Sequence, residues 1–439
     1  MGPLISTLSR YFCALTLVLA PLGLATVYIN DYNSPPIRSD GVGYYAYLPA
    51  LFIHKDLTME KLAQQEFGGD IPAWTGIVRY PPTGRYLDKY TIGEAVMIAP
   101  LFLLAHTLSR FVHPHASGFA PHYQVAAVLA GLGYMVLGLW LLQRVLRRYF
   151  SEAVTLATLI CILFGTNLYH YATYDAIFSH AFSFCLFALL LYLLPGWYAD
   201  PSTWRTLGLG AAMGLILLVR VPNALVLLFV PAFAIRDGQS LRERLAFAWR
   251  HRWKVVLLLM VVAAVFAPQL AYWTYITGAP IVFPYQSGVP GKPERFNFTS
   301  PWIGSVLFSV RKGLFFWSPI LLFAVPGLVL MARTAAPLFL PTVLFLPLNL
   351  YIVASWHAWS FGGSYGHRGF TESLAVLAVP LAAFFDSLRG RAARAAVAVL
   401  AAAFVALSVV QMLQYWKGSI PFDGTTWELY RSVFLRLSR

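Results

Sequence analysis

The chain has 439 residues, 59% of them hydrophobic and 11% charged. Soluble domains carry about 25% charged residues, so this composition excludes a soluble globular protein, and long unalternating apolar runs exclude a transmembrane barrel. The net charge of +14 falls in short loops between apolar runs. It therefore reads as membrane topology rather than nucleic-acid binding, and no nucleic-acid module is visible.

About 20 apolar residues cross the hydrocarbon core as a helix. Candidate spans are 11–29, 121–143, 154–169, 177–195, 206–221, 222–235, 255–276, 313–331, 338–355, 369–386 and 395–413. The first follows Arg10 and lacks a clear cleavage site, so it reads as a retained anchor. Cys13, Cys161 and Cys185 all lie in apolar segments, without disulfide or metal-ligand spacing. No internal repeat or long linker divides residues 1–439, which read as one integral membrane domain.

Basic loops at Arg144–Arg148, Arg236–Lys254, Arg333 and Arg389–Arg394, with Arg10, mark the cytoplasmic side by the positive-inside rule. Counting crossings then leaves one apolar segment too many before Arg144. Segment 91–112 contains Glu94, Pro100, His106 and Arg110, each costly or disruptive in mid-bilayer. It is assigned as a re-entrant or surface-lying helix pair on the outer side, within an outer loop spanning 30–120. That loop also holds a helical stretch at 56–66, capped by Asp56 or Thr58, and a turn at Pro81-Pro82. The short tail, 414–439, also falls outside.

Several polar clusters collect on the outer face. Ser39-Asp40-Gly41-Val42-Gly43-Tyr44-Tyr45 follows the first span. A carboxylate there serves as a general base for a hydroxyl acceptor, and the glycines admit close backbone approach; a helix cap is the structural alternative. Asp175 and His180 stand five apart, off a common helical face. They suit an orienting or catalytic role, a share in binding a divalent cation, for which the further ligands are not identifiable, or an N-cap with an interhelical hydrogen bond. Arg220 interrupts an apolar stretch, where a lipid phosphate or snorkelling to the interface would satisfy it. Arg311 and Lys312 are outer-side cations, suited to an anion or to interfacial anchoring. The loop from Ser355 to Glu372 holds Trp356, Trp359, His367 and Arg368 among four glycines, a set able to wrap a phosphate and stack a sugar.

These features together resemble the GT-C superfamily of membrane glycosyltransferases, which includes protein O-mannosyl, aminoarabinose and lipopolysaccharide-core transferases. They are the acid after the first span, Tyr80-Pro81-Pro82, a second outer acid and a basic residue at an outer helix end. The likeness covers most of the chain in architecture and short stretches in motif. It implies an all-α polytopic bundle of about 11 transmembrane helices with membrane-surface helices in the first outer loop. It further implies sugar transfer, with inversion, from a polyprenyl-phosphate donor to a glycan, lipid or protein hydroxyl at the outer face of a bacterial inner membrane. The lipid tail is expected in a groove between spans and segment 91–112. Asp40 becomes the base and Asp175 a second catalytic or orienting acid. Arg220, Arg368, His367, Arg311 and Lys312 become donor-phosphate contacts, and Tyr44, Tyr45, His180, Trp356 and Trp359 substrate contacts. Gly41 stands where the O-mannosyl branch continues an Asp-Glu pair, so metal-free chemistry is expected and no metal ligand is assigned. A transporter or flippase of a lipid-linked anionic sugar is the alternative from another class.

Overall fold

The computed structural model describes residues 35–112, 117–284 and 294–437, with Phe12 and Thr16. Apart from those two residues, the expected span 11–29 lies outside the described set. In chain order the elements are α1 (Asp40–Leu48), a hairpin of β1 (Ile77–Arg79) and β2 (Tyr86–Asp88), α2 (Gly93–Val112), α3 (Pro121–Leu146) and α4 (Glu152–Phe164). Then come α5 (His180–Ala199), α6 (Thr203–Val219), α7 (Gly238–Arg250), α8 (Arg252–Thr277), α9 (Ala324–Thr334), α10 (Ala336–Ser355), α11 (Leu374–Ser387) and α12 (Arg391–Trp416). Shorter elements join them. Among the described residues five helices, α3, α5, α8, α10 and α12, are long and apolar enough to cross a membrane, and six apolar segments are shorter.

Close backbone approach holds the bundle together. A Cβ on Gly131 of α3 would come within 2.3 Å of the Ala176 carbonyl, and one on Gly327 of α9 within 1.9 Å of the Pro380 carbonyl in α11. Small residues at such crossings let helices gain dispersion contacts where lipid offers no hydrophobic drive.

The two ends of the bundle differ in chemistry. At one end Arg148 bonds the Tyr192 carbonyl (3.1 Å), Arg147 pairs with Glu152 (2.8 Å) and Lys254 reaches Thr203 (2.7 Å). At the other end Thr91 bonds the Val219 carbonyl (3.0 Å), and Arg220 meets Glu372 (2.6 Å). The 17-residue α6 runs from the first end to the second, which at 1.5 Å per residue separates them by about 25 Å.

Four expectations are corrected. The chain is not wholly helical: β1 pairs antiparallel with β2, Val78 opposite Leu87, around the expected Pro81-Pro82 turn. Strands of three residues are shorter than the alternating runs that reveal a strand in sequence. Segment 91–112 is one helix with Pro100 inside it, not a pair. It runs antiparallel to α3, as hydrogen bonds from Tyr134 to the Met97 carbonyl (3.1 Å) and between His106 and Tyr123 (2.7 Å) require. The expected span 222–235 is a 3-10 helix, Val221–Leu228, followed by one helical turn, Phe229–Ala232. Finally, 313–331 breaks at Ser318, where Pro319 opens a new 3-10 segment, since proline carries no backbone donor to continue a helix.

Candidate active site

Asp40 opens α1 as its first helical residue. Ser39 is the N-cap, makes no side-chain cap bond and has a φ of 50°. The capping alternative for Asp40 therefore fails: its carboxylate is turned to Arg368, whose Nη1 donates to Oδ2 at 2.8 Å. The glycines explain how α1 fits there. A Cβ on Gly41 would meet the Ile177 carbonyl at 3.1 Å, and one on Gly43 would stand 2.4 Å from the Tyr90 ring and 2.7 Å from the Thr75 carbonyl. Gly41 and Gly43 lie on nearly opposite sides of α1, so neighbouring segments close in on the helix from two directions and bury Gly41 through Leu48, while Asp40 stays at the edge, its side chain 21% exposed. Burial, which alone would raise the Asp40 pKa, is outweighed by the charges of Arg368 and Lys89 and by hydrogen bonds from Tyr90 and Arg368, so it lies below the usual carboxylate range.

A second ion pair sits beside the first. Arg220, at the end of α6, donates to Glu372 Oε1 at 2.6 Å, and the other oxygen, Oε2, lies 3.0 Å from His180 Nδ1. Lys89 lies over the Tyr90 ring with its Nζ 3.8 Å from Glu294. Tyr44 packs on Tyr90 at 4.2 Å between centroids and accepts a hydrogen bond from Ser179 (3.1 Å).

These pairs form the polar floor of a cavity of about 820 Å³ that Asp40, Tyr44, His180, Arg220, Trp356 and Arg368 all line. Its wall is apolar: Phe266, Leu270 and Trp273 from α8, Ile352 and Val353 from α10, and the segment Ile281–Phe283. Val221, Ile281 and Phe283 are exposed. Segment 91–112 contributes only Thr91 to this lining, and the apolar wall comes from α8, α10 and Ile281–Phe283.

The remaining expected residues lie elsewhere. Asp175 accepts from His170 Nε2 (2.9 Å) and Arg38 (3.2 Å), and Trp416 Nε1 donates to His170 Nδ1 (2.8 Å). Because an indole N–H can only donate, it fixes His170 as the neutral Nε2–H tautomer. Burial alone would raise the Asp175 pKa, but the hydrogen bond from His170 and the charge and hydrogen bond of Arg38 outweigh it, so the carboxyl lies below its usual range. Asp175 is thus tied to Arg38, two residues before Asp40, and does not line the cavity. Tyr45 turns away to donate to the Gly118 carbonyl (2.7 Å). Arg311 is held by Asp423 (2.8 Å), and Trp359 stacks on Trp302 at 6.5 Å. Lys312 is 2% exposed and donates to the Ser364 and Phe422 carbonyls. Burial lowers His367 to about 3, leaving a neutral ring rather than a cation for phosphate.

Sequence reasoning missed Glu372, Lys89, Tyr90 and Glu294 as site residues. Glu372 carried a readable signal, an acid at the edge of an apolar span. Lys89 carried none, since a lysine in a polar outer loop is ordinary. Among the described residues no group of three or more His, Cys, Asp or Glu side chains is placed to hold a metal ion.

The site and bundle define a polytopic helical protein whose polar cavity opens beside an apolar wall. Its fold is found in a solved structure of the oligosaccharyltransferase of Archaeoglobus fulgidus in the apo form, with TM-score 0.51 and 12% identity over 98% of this chain and 60% of that one. The same archaeon's oligosaccharyltransferase AglB, in complex with an inhibitory peptide and a dolichol-phosphate, aligns with TM-score 0.49 and 13% identity over 97% of this chain and 58% of that one. The chain thus spans about three fifths of the length of these structures. No protein-family model and no curated protein matches it.

Proposed function

We propose that the chain is a membrane glycosyltransferase that moves a sugar from a polyprenyl-phosphate donor to a hydroxyl acceptor, with inversion, at the outer face of a bacterial inner membrane. The observation that carries this reading is the meeting of Asp40 with Arg368 and Arg220 on the floor of a cavity whose wall is apolar. Such a cavity suits a lipid tail along α8 and α10 with its phosphate at the guanidiniums. The cavity lies at the end of the bundle away from Arg147, Arg148 and Lys254, so the positive-inside rule turns it outward.

The chemistry follows from the charges. Each cavity cation is held by an acid: Arg368 by Asp40, Arg220 by Glu372 and Lys89 by Glu294. An arriving donor phosphate competes for Arg368 and Arg220, with charge-assisted bonds that Arg forms well in bidentate geometry. As Arg368 turns to phosphate, Asp40 loses the cation that depresses its pKa and becomes a stronger base. The acceptor hydroxyl then gives its proton to Asp40 while its oxygen bonds to the anomeric carbon. The bond from that carbon to the phosphate oxygen breaks, and the guanidiniums stabilise the departing lipid phosphate. No metal enters this scheme. Asp175, with His170 and Arg38, holds the turn before Asp40 in place.

Transfer of radiolabelled sugar from synthetic polyprenyl-phosphate sugar by the purified protein tests the reading. Movement of the lipid between leaflets with no transfer would favour a flippase instead.

A further inference from the structure

Helix α7 is amphipathic in an unusual way, because only one of its two apolar faces meets protein. The inner face docks on the bundle: the Arg244 guanidinium stacks 3.6 Å over Tyr198 and bonds the Phe233 carbonyl (2.7 Å), while Phe247 packs against Trp197 and Tyr198. Leu241, Leu245 and Trp249, four residues apart, fall on a different face and are 45%, 63% and 74% exposed. Two further observations indicate what covers that stripe. It continues into the exposed apolar surface of α8, where Trp253, Val256, Leu259 and Met260 are all open. It is also bordered by cations on α7 and its flanks: Arg236, Arg242, Arg250, Arg252 and Lys254.

We propose that α7 lies in the plane of the leaflet at the basic end of the bundle and binds anionic phospholipid, burying Leu241, Leu245 and Trp249 below the headgroups. An apolar stripe flanked by arginines is the pattern of an interfacial helix. Cations beside an anionic leaflet gain attraction that neutral lipid does not provide. Trp249 and Trp253 sit where indoles favour the membrane–water interface. The inference concerns the end of the bundle away from the cavity and does not rest on the transferase reading.

The test uses the full chain with its three native cysteines replaced and a polarity-sensitive dye on Leu245→Cys or, as control, Glu243→Cys. Both positions are exposed, so labelling disturbs no packing, and Glu243 stands nearly opposite Leu245 around the helix. The protein is placed in nanodiscs of phosphatidylcholine, or of equimolar phosphatidylcholine and phosphatidylglycerol, with lipids brominated high on the acyl chain. The expected result is quenching about threefold or more stronger at 245 than at 243. It should be greater with phosphatidylglycerol, fall with added salt, and lose that lipid preference when Arg242, Arg250 and Arg252 are changed to Gln. Equal quenching at both positions would overturn the placement in lipid. So would a dye at 245 shielded from both brominated lipid and an aqueous quencher, which would mean that protein covers the stripe. Quenching that ignores phosphatidylglycerol and salt would overturn the anionic preference.

Discussion

Replacing Arg368 with Gln separates two effects that the site combines in one side chain. Arg368 stands 2.8 Å from Asp40, with side-chain exposures of 16% and 21%, so the pair is only partly screened. At an effective dielectric of about 20 two charges 4 Å apart interact by about 4 kcal/mol, and a carboxylate beside an arginine titrates about 1 to 3 pH units below its ordinary value. Lys89 and Tyr90 still act on Asp40 after the substitution, so its pKa should rise, but only part of the way that loss of every favourable partner would carry it. The direction follows from the protonation state: activity is lost on the acid side as Asp40 takes a proton, so the acid limb of kcat/KM for the donor moves to higher pH. At the plateau kcat should fall about 10²- to 10³-fold, the usual cost of removing a donor that stabilises developing negative charge. The assay is initial-rate transfer from a synthetic polyprenyl-phosphate sugar across pH, with wild type and variant in the same detergent. An acid limb that stays in place while kcat falls would refute the electrostatic link between Arg368 and Asp40. An unchanged kcat would refute the role in leaving-group stabilisation.

Gly43→Ala should lower thermal stability by about 1 to 3 kcal/mol, read as a fall in Tm, because the new methyl group would stand 2.4 Å from the Tyr90 ring and 2.7 Å from the Thr75 carbonyl; an unchanged Tm would contradict this packing of α1. Asp175→Asn leaves Arg38 without its carboxylate and loosens the turn before Asp40, so kcat should fall about 10- to 10²-fold while donor KM changes little. A rise in KM alone would instead place Asp175 against the substrate. Lys312 is lowered to about 7 by burial, against the charge of Asp423, which raises it. Between that value and its ordinary 10.5 the unfolded chain binds the proton and the folded one does not, so stability should increase as pH rises from about 7 towards 10. Lys312→Met should flatten that slope in a Tm-against-pH series, and a slope that persists would mean another group sets it.

Membrane character, most of the long helices and the placing of Asp40, Arg220, Arg368, His180, Trp356 and Tyr44 toward one end of the bundle were legible because each rests on a strong local signal, whereas their meeting in one cavity was not. Twenty apolar residues can do little but span or pack, and a charge at the edge of such a run needs a partner. What sequence could not supply was the choice of partner. Arg220 reads as a free cation until Glu372, 152 positions away, arrives beside it, and Asp175 reads as a second catalytic acid until His170 and Arg38 close around it. Arg311 and Lys312 read as anion ligands for the same reason, although Asp423 and two backbone carbonyls already occupy them. Backbone breaks were equally hidden: the 3-10 turns at Val221–Leu228 and Pro319–Phe323 lie inside apolar runs whose composition alone suggests continuous helices. The glycines of α1 were read as room for substrate, whereas Gly41 and Gly43 are filled by the protein's own backbone and by Tyr90.

The central claim is that Asp40 takes the acceptor's proton. Asp40→Asn keeps the size of the side chain and its ability to accept a bond from Arg368 but removes the base. Single-turnover transfer from a polyprenyl-phosphate sugar should fall about 10²- to 10⁴-fold, while donor binding, measured in the same preparation, remains. Transfer at or near the wild-type rate by the Asp40→Asn protein would contradict the account.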